Sequence, residues 1–180
     1  NLLAEGLRIV IVASRFNEMI VDRLIEGASD TFRQLGGSPD DLLLTRVPGA
    51  FEISTAVRQF AETEAYDAIV CLGAVIRGAT SHYDHVCSAV TGGVAAVGAD
   101  TGIALAQARP TNPHGTANTR TSVSVRQTHF TPGNINSHSR GGEHRAGLIR
   151  LLCILIDDIR HTLGQREEIL LNRAEQRANR

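Results

Sequence analysis

The stretch that most constrains this chain runs from Ala68 to Asp84. Ala68-Ile69-Val70-Cys71-Leu72 is an unbroken apolar run, a pattern that strands adopt when both faces of their sheet are covered. Gly73 ends the run, and a helical pattern starts near Ser81. A strand that passes through Gly78-Ala79-Thr80 into a helix start aims several backbone N–H groups at one point. With the positive end of the helix dipole, that makes a seat for a phosphate or another anion. His82 stands at the mouth of the same turn, where an imidazole can move protons near neutral pH. An anion seat beside a proton carrier points to an active site.

Size and charge narrow the remaining options. A chain of 180 residues can bury one substantial core, with or without an appendage. It is 42% hydrophobic and 21% charged, with a formal net charge of -1, which argues against a nucleic-acid-binding protein. Cys71, Cys87 and Cys153 lie in apolar surroundings and read as buried thiols of a reducing compartment. No segment approaches about 18 consecutive apolar residues, so no membrane span is expected. Leu7–Ala13 lacks the basic flank and cleavage site of a signal peptide, and a cytoplasmic location is the expectation. Every basic residue is arginine, which excludes a Schiff-base or phosphate-loop lysine.

The rest of the first half repeats one unit. Leu7–Ala13 reads as a buried strand, broken by Ser14-Arg15-Phe16-Asn17. From Glu18 to Leu35, Ile20, Val21, Leu24, Ile25, Ala28 and Phe32 recur at helical spacing, and Gly36-Gly37 stops the helix. Leu42–Val47 is a second strand, ended by Pro48-Gly49, and a second helix opens at Ala50-Phe51-Glu52 and runs to about Glu64. Tyr66–Gly73 is the third strand and His82 to about Gly98 the third helix. Strands alternating with helices through short connections predict a parallel sheet between helical layers. Right-handed crossovers then place Phe16, Ala50-Phe51-Glu52 and Gly78–His82 along one edge. Phe16 at a strand's carboxyl end fits a ligand wall or a simple cover for the sheet. Glu52 fits a ligand contact or a favourable charge at a helix start.

Ser14-Arg15-Phe16-Asn17, Arg46-Val47-Pro48-Gly49-Ala50-Phe51-Glu52-Ile53 and Gly73–Asp84 resemble the three signature turns of the lumazine synthase family, and their spacings are kept from about Ala4 to Ala106. The resemblance implies a flavodoxin-like three-layer α/β/α sandwich with a central parallel four-stranded sheet. It implies condensation of 5-amino-6-ribitylaminouracil with 3,4-dihydroxy-2-butanone 4-phosphate in riboflavin biosynthesis, with no cofactor and no metal. The substrates would be a ribitylaminopyrimidine and a butanone phosphate, and the assembly a pentamer or a 60-mer shell. Carried over by motif, Phe16 would stack on the pyrimidine, while Ala50, Phe51 and Glu52 would hold the ribityl chain. Val75 and Ile76 would meet the uracil edge through their backbones, Gly78, Ala79 and Thr80 would seat the phosphate, and His82 would be the general acid/base. A non-catalytic scaffold or ribityl-pyrimidine-binding homologue is the alternative.

Past Ala106 the resemblance stops. Residues 107–147 show few apolar residues and no periodicity, and Arg109, Arg120, Arg126, Arg140 and Arg145 face a single acid, Glu143. Such a segment cannot bury enough surface to offset its ordering entropy. It reads as solvated disorder and not as a nucleic-acid module, since it lacks interleaved aromatics. Residues 148–180 carry a helical pattern through Leu148, Leu151, Leu152, Leu155 and Ile159. The expected organisation is therefore 1–106 as the α/β domain, 107–147 as an atypical segment and 148–180 as a helical end. The family's late arginine and lysine have no counterpart in a matching motif. His82, His85 and Cys87 do not share one helix face, so a metal site there is not expected, and Arg77 fits either a phosphate contact or an ion pair.

Overall fold

The computed structural model describes residues 4–75, 81–111, 120–125 and 154. Strand β1 (Ile9–Ser14) leads into helix α1 (Glu18–Gln34), and a 3-10 turn at Pro39–Asp41 precedes β2 (Leu42–Val47). Helix α2 (Phe51–Glu62), β3 (Ala68–Leu72), α3 (His82–Thr101) and β4 (Ala104–Thr111) follow, and β5 (Arg120–Val125) closes the series. The strand order is β2-β1-β3-β4-β5. The first four strands are parallel and β5 is antiparallel to β4. The expected four-stranded parallel sheet is present, with a fifth strand added at its edge.

Alternation along the strands builds two cores. In β1, Ile9, Ile11 and Ala13 face α1, whose Val21, Leu24, Ile25, Ala28 and Phe32 cover them together with Val70 and Leu72 of β3. Val10 and Val12 face the other way, joined by Ile69 and Cys71 of β3, against Ile53 and Val57 of α2 and Val86, Val90, Val94 and Val97 of α3. With a side-chain period of two, a continuous apolar strand serves both layers at once. Six consecutive residues of β1 are buried. Gly36, at φ 90°, takes the chain out of α1 in a conformation that other residues adopt at a cost. Arg46 ties the end of β2 to α1, its Nη2 donating to Asp22 Oδ1 at 2.5 Å. Arg58 ties α2 to α3 through Asp100 at 2.6 Å.

The structure departs from expectation past Ala106. Strand β4 runs on to Thr111, and Arg120–Val125 forms a strand inside the segment expected to lack regular structure. The registers Ala106–Val125 to Thr111–Arg120 give the edge of β4 a partner. The signal was present: Thr121, Val123 and Val125 alternate with polar residues, a β-type pattern lost when the whole segment is judged by its average composition. Residues 112–119 and 126–147 lie outside the described residues. Of the expected C-terminal helix only Ile154 is described, in helical conformation.

Helices α2 and α3 meet at Gly93, where an added Cβ would stand 2.7 Å from the Ser54 Cβ, whereas at Gly92 it would meet nothing within 4 Å. Gly93→Ala should destabilise the fold by about 1–3 kcal/mol, and Gly92→Ala should stabilise it by about 0.5–1 kcal/mol through backbone entropy. Urea unfolding of the two variants checks the opposite signs. A second outcome concerns Cys71, which is fully buried and whose thiol pKa burial pushes up to about 12. The folded state therefore holds its proton more tightly than the unfolded state, so this thiol's contribution to stability is complete below about pH 8.5. It is lost as pH rises towards 12, at about 1.4 kcal/mol per pH unit. Unfolding curves between pH 9 and 11 should show that slope, and Cys71→Ala should flatten it.

Candidate functional site

The parallel register sends three connections out of the same rim of the sheet. Ser14 lies beside Val47, and Ala13 lies beside Arg46 on one side and Leu72 on the other. The chain leaving β1, the Pro48-Gly49-Ala50 turn leaving β2 and the Gly73-Ala74-Val75 segment leaving β3 thus start at one level. The helices switch from one face to the other between β1 and β3, and open α/β sheets hold ligands in the crevice at that place.

Two hydrogen bonds lace the connections together. Arg15 N–H donates to Val47 O at 2.8 Å, tying the first turn to the end of β2. Asn17 Nδ2 donates to Ala74 O at 2.8 Å, tying it to the segment after β3. Asn17 stands at φ 58°, ψ 44°, just ahead of α1. This left-handed conformation is one that asparagine tolerates and most residues resist. Strained backbone of this kind gathers at sites where geometry is held for a purpose. Composition and periodicity do not single Asn17 out; an asparagine standing between a strand's end and a helix start was the available signal.

Phe16 lies between these anchors and is 68% exposed, while Phe51, at the start of α2, is 50% exposed. Two aromatic side chains are therefore held at the rim without being absorbed into either core. Glu52 is also exposed, and its Oε2 accepts from Gly49 N–H at 2.9 Å. That bond closes the turn before α2, as a carboxylate reaching back over a helix start does. One oxygen of Glu52 thus has a structural role in this turn.

Ala50 and Val75 come together around a partly open hollow of about 20 Å³, space for one water-sized group. Ile53, Gly73, Cys71, Cys87, Val90 and Gln107 complete its lining. His82 is exposed in the first turn of α3. It sits one helical turn ahead of Val86, which packs in the same core as Val75. Of the sequence-predicted residues, Phe16, Ala50, Phe51, Glu52, Val75 and His82 are placed. Ile76, Arg77, Gly78, Ala79 and Thr80 lie outside the described residues, and with them the expected anion seat. Cys71 and Cys87 are buried free thiols, and Cys153 is outside the described residues. Among the described residues no group of three His, Cys, Asp or Glu side chains could hold a metal ion, and no helix is long and apolar enough to cross a membrane.

The Asn17 bridge sets a measurable expectation. Asn17→Ala removes a hydrogen bond worth about 1 kcal/mol and forces alanine into a conformation costing about 1–2 kcal/mol. Thermal unfolding should show the two losses combined, whereas Asn17→Gly should recover the conformational part and lose only the bridge. A match between residues 6–111 and the family model described as 6,7-dimethyl-8-ribityllumazine synthase joins this geometry to known proteins.

Proposed function

The chain belongs to the 6,7-dimethyl-8-ribityllumazine synthase family, and from that premise we propose that it condenses 5-amino-6-ribitylaminouracil with 3,4-dihydroxy-2-butanone 4-phosphate, releasing phosphate and water. The observation that carries the reading is the Asn17–Ala74 hydrogen bond, which holds the turn bearing Phe16 against the segment leading to the anion seat and His82. Two substrates with a planar ring and a phosphate respectively need such neighbouring subsites.

In this reading Phe16 stacks on the pyrimidine, since an aromatic face half in water gains area burial and offset stacking when a ring covers it. The Ala50 and Phe51 backbones and the Glu52 carboxylate take the ribityl hydroxyls. Val75 and Ile76 meet the uracil edge through their backbones, and Gly78, Ala79 and Thr80 seat the phosphate at the start of α3. The reaction needs no redox cofactor: the ring's amine attacks the ketone, water leaves as the imine forms, phosphate is eliminated, and the ribitylamino nitrogen closes the second ring on the remaining carbonyl with loss of a second water. His82 shuttles the protons of these steps. Holding both substrates in register supplies much of the rate by removing their freedom to separate. The assembly would be a pentamer or a 60-mer, acting in the cytoplasm on small molecules alone.

A second reading, a ribityl-pyrimidine-binding scaffold without catalysis, is favoured by one observation: the chain contains no lysine, so the lysine that the resemblance implies beside the phosphate is missing. Mixing the two substrates and following the fluorescent lumazine product separates the readings. Product formation supports the enzyme, and binding of the pyrimidine without product supports the scaffold. In the active protein, His82→Ala should lower kcat about a hundredfold or more with little change in pyrimidine affinity. Phe16→Ala should weaken pyrimidine binding, and Phe16→Tyr should retain it.

A further inference from the structure

Gln107 breaks the pattern of the core it stands in. Along β4, Ala106 packs on the α1 side of the sheet, while Leu105 packs on the side of α2 and α3. Alternation therefore turns Gln107 to the α2–α3 side, beside Cys71, its register partner on β3. Cys71 and Ile69 on that face are apolar and fully buried, so an apolar residue is what packing alone calls for at 107. Gln107 is instead one of the few buried polar residues, 8% exposed. Its side chain lines the small hollow with Ala50, Gly73 and Val75. Placing an amide in an otherwise apolar lining costs stability unless a partner meets it, and a position that departs from the pattern of its own core is where a functional role is to be sought.

We infer that Gln107 is a specificity-determining residue, its amide N–H donating to one ring carbonyl oxygen of a pyrimidinedione whose edge enters this hollow. The inference rests on the reading of the rim as a ribityl-pyrimidine site. The size of the hollow sets the chemistry: it has room for a single oxygen and excludes the ring itself. The lining is otherwise Ala50, Ile53, Cys71, Cys87 and Val90 side chains with Gly73 and Val75, so a ligand oxygen arriving without the amide would meet an apolar floor. A site that hydrogen-bonds a substrate group discriminates sharply against the analogue lacking it, because its own polar atom is then left unpaired.

The test is equilibrium binding of the ribitylaminopyrimidinedione and of its two mono-deoxo analogues to the wild-type chain, Gln107→Leu and Gln107→Asn, with thermal unfolding of each ligand-free protein. The expected result is that wild type disfavours one deoxo analogue by about tenfold or more. Gln107→Leu should bind the parent ligand about tenfold more weakly, lose that discrimination, and unfold at a higher temperature because its buried amide is gone. Gln107→Asn, too short to reach, should lose discrimination without the gain in stability. A structural role for Gln107 would make the leucine variant less stable and leave discrimination intact, which overturns the inference while the pyrimidine-site reading stands. Failure of the wild-type chain to bind the parent ligand overturns the site reading itself, and this inference with it. Loss of discrimination in the asparagine variant keeps the inference open to refutation if the leucine variant does not fold.

Discussion

Five consecutive register pairs between β1 and β3, from Ile9–Ala68 to Ala13–Leu72, are the constraint on which the molecule depends. They bring together segments nearly sixty residues apart in the chain, and they do so in parallel, so both strands deliver their following turns to one rim. Loop-closure entropy makes such a pairing costly. What offsets it is that each strand feeds two cores at once. A slip of one residue would exchange the side chains facing α1 with those facing α2 and α3. In β1 and β3 both sets are apolar, so shape and volume, more than polarity, select the register. Ala13 and Ala68 leave room on the α1 side for Phe32 and Leu24, which are wholly buried.

Once that pairing is set, the rim follows from chain geometry and a few local bonds. Arg15 and Asn17 carry the turn after β1 to its neighbours on both sides, and Glu52 holds the turn after β2 closed. Each of these hydrogen bonds is worth about 1 kcal/mol, far less than the burial of the two cores. Each fixes a short connection whose aromatic side chains, Phe16 and Phe51, stay largely exposed and are members of neither core cluster among the described residues. The division of labour is between an apolar interior that provides rigidity and a ring of polar contacts that provides position.

Sequence legibility divides along the same line. Strands β1 and β3 were readable because burial on both faces writes an unbroken apolar run, β2 from its apolar run although Leu43 and Leu44 are exposed, and the helices from apolar residues at helical spacing. Their observed limits differ from the expected ones only at the ends. The placement of Phe16, Ala50 and Glu52 along one rim was readable from their positions just after strands. Asn17 was not, because its importance lies in a backbone conformation and a cross-chain bond that no periodicity records. Gln107 was passed over because it fell just beyond the stretch where the resemblance was followed and was read as the start of a polar segment. Its meaning depends on what faces it across the sheet. Strand β5 was missed because a short alternating run disappears when forty residues are averaged together.

Phe16 and Phe51 remain 68% and 50% exposed, and this has an electrostatic side. A flat molecule laid on them in a lone copy of the chain keeps one face wet, so fields from His82 or from a helix terminus reach it through a medium close to bulk water. Coulomb interactions that amount to several kcal/mol in a drier setting shrink there to about 1 kcal/mol. Any surface that closes over the two rings therefore does more than add contacts: it sets the dielectric strength in which every charged group at the rim operates.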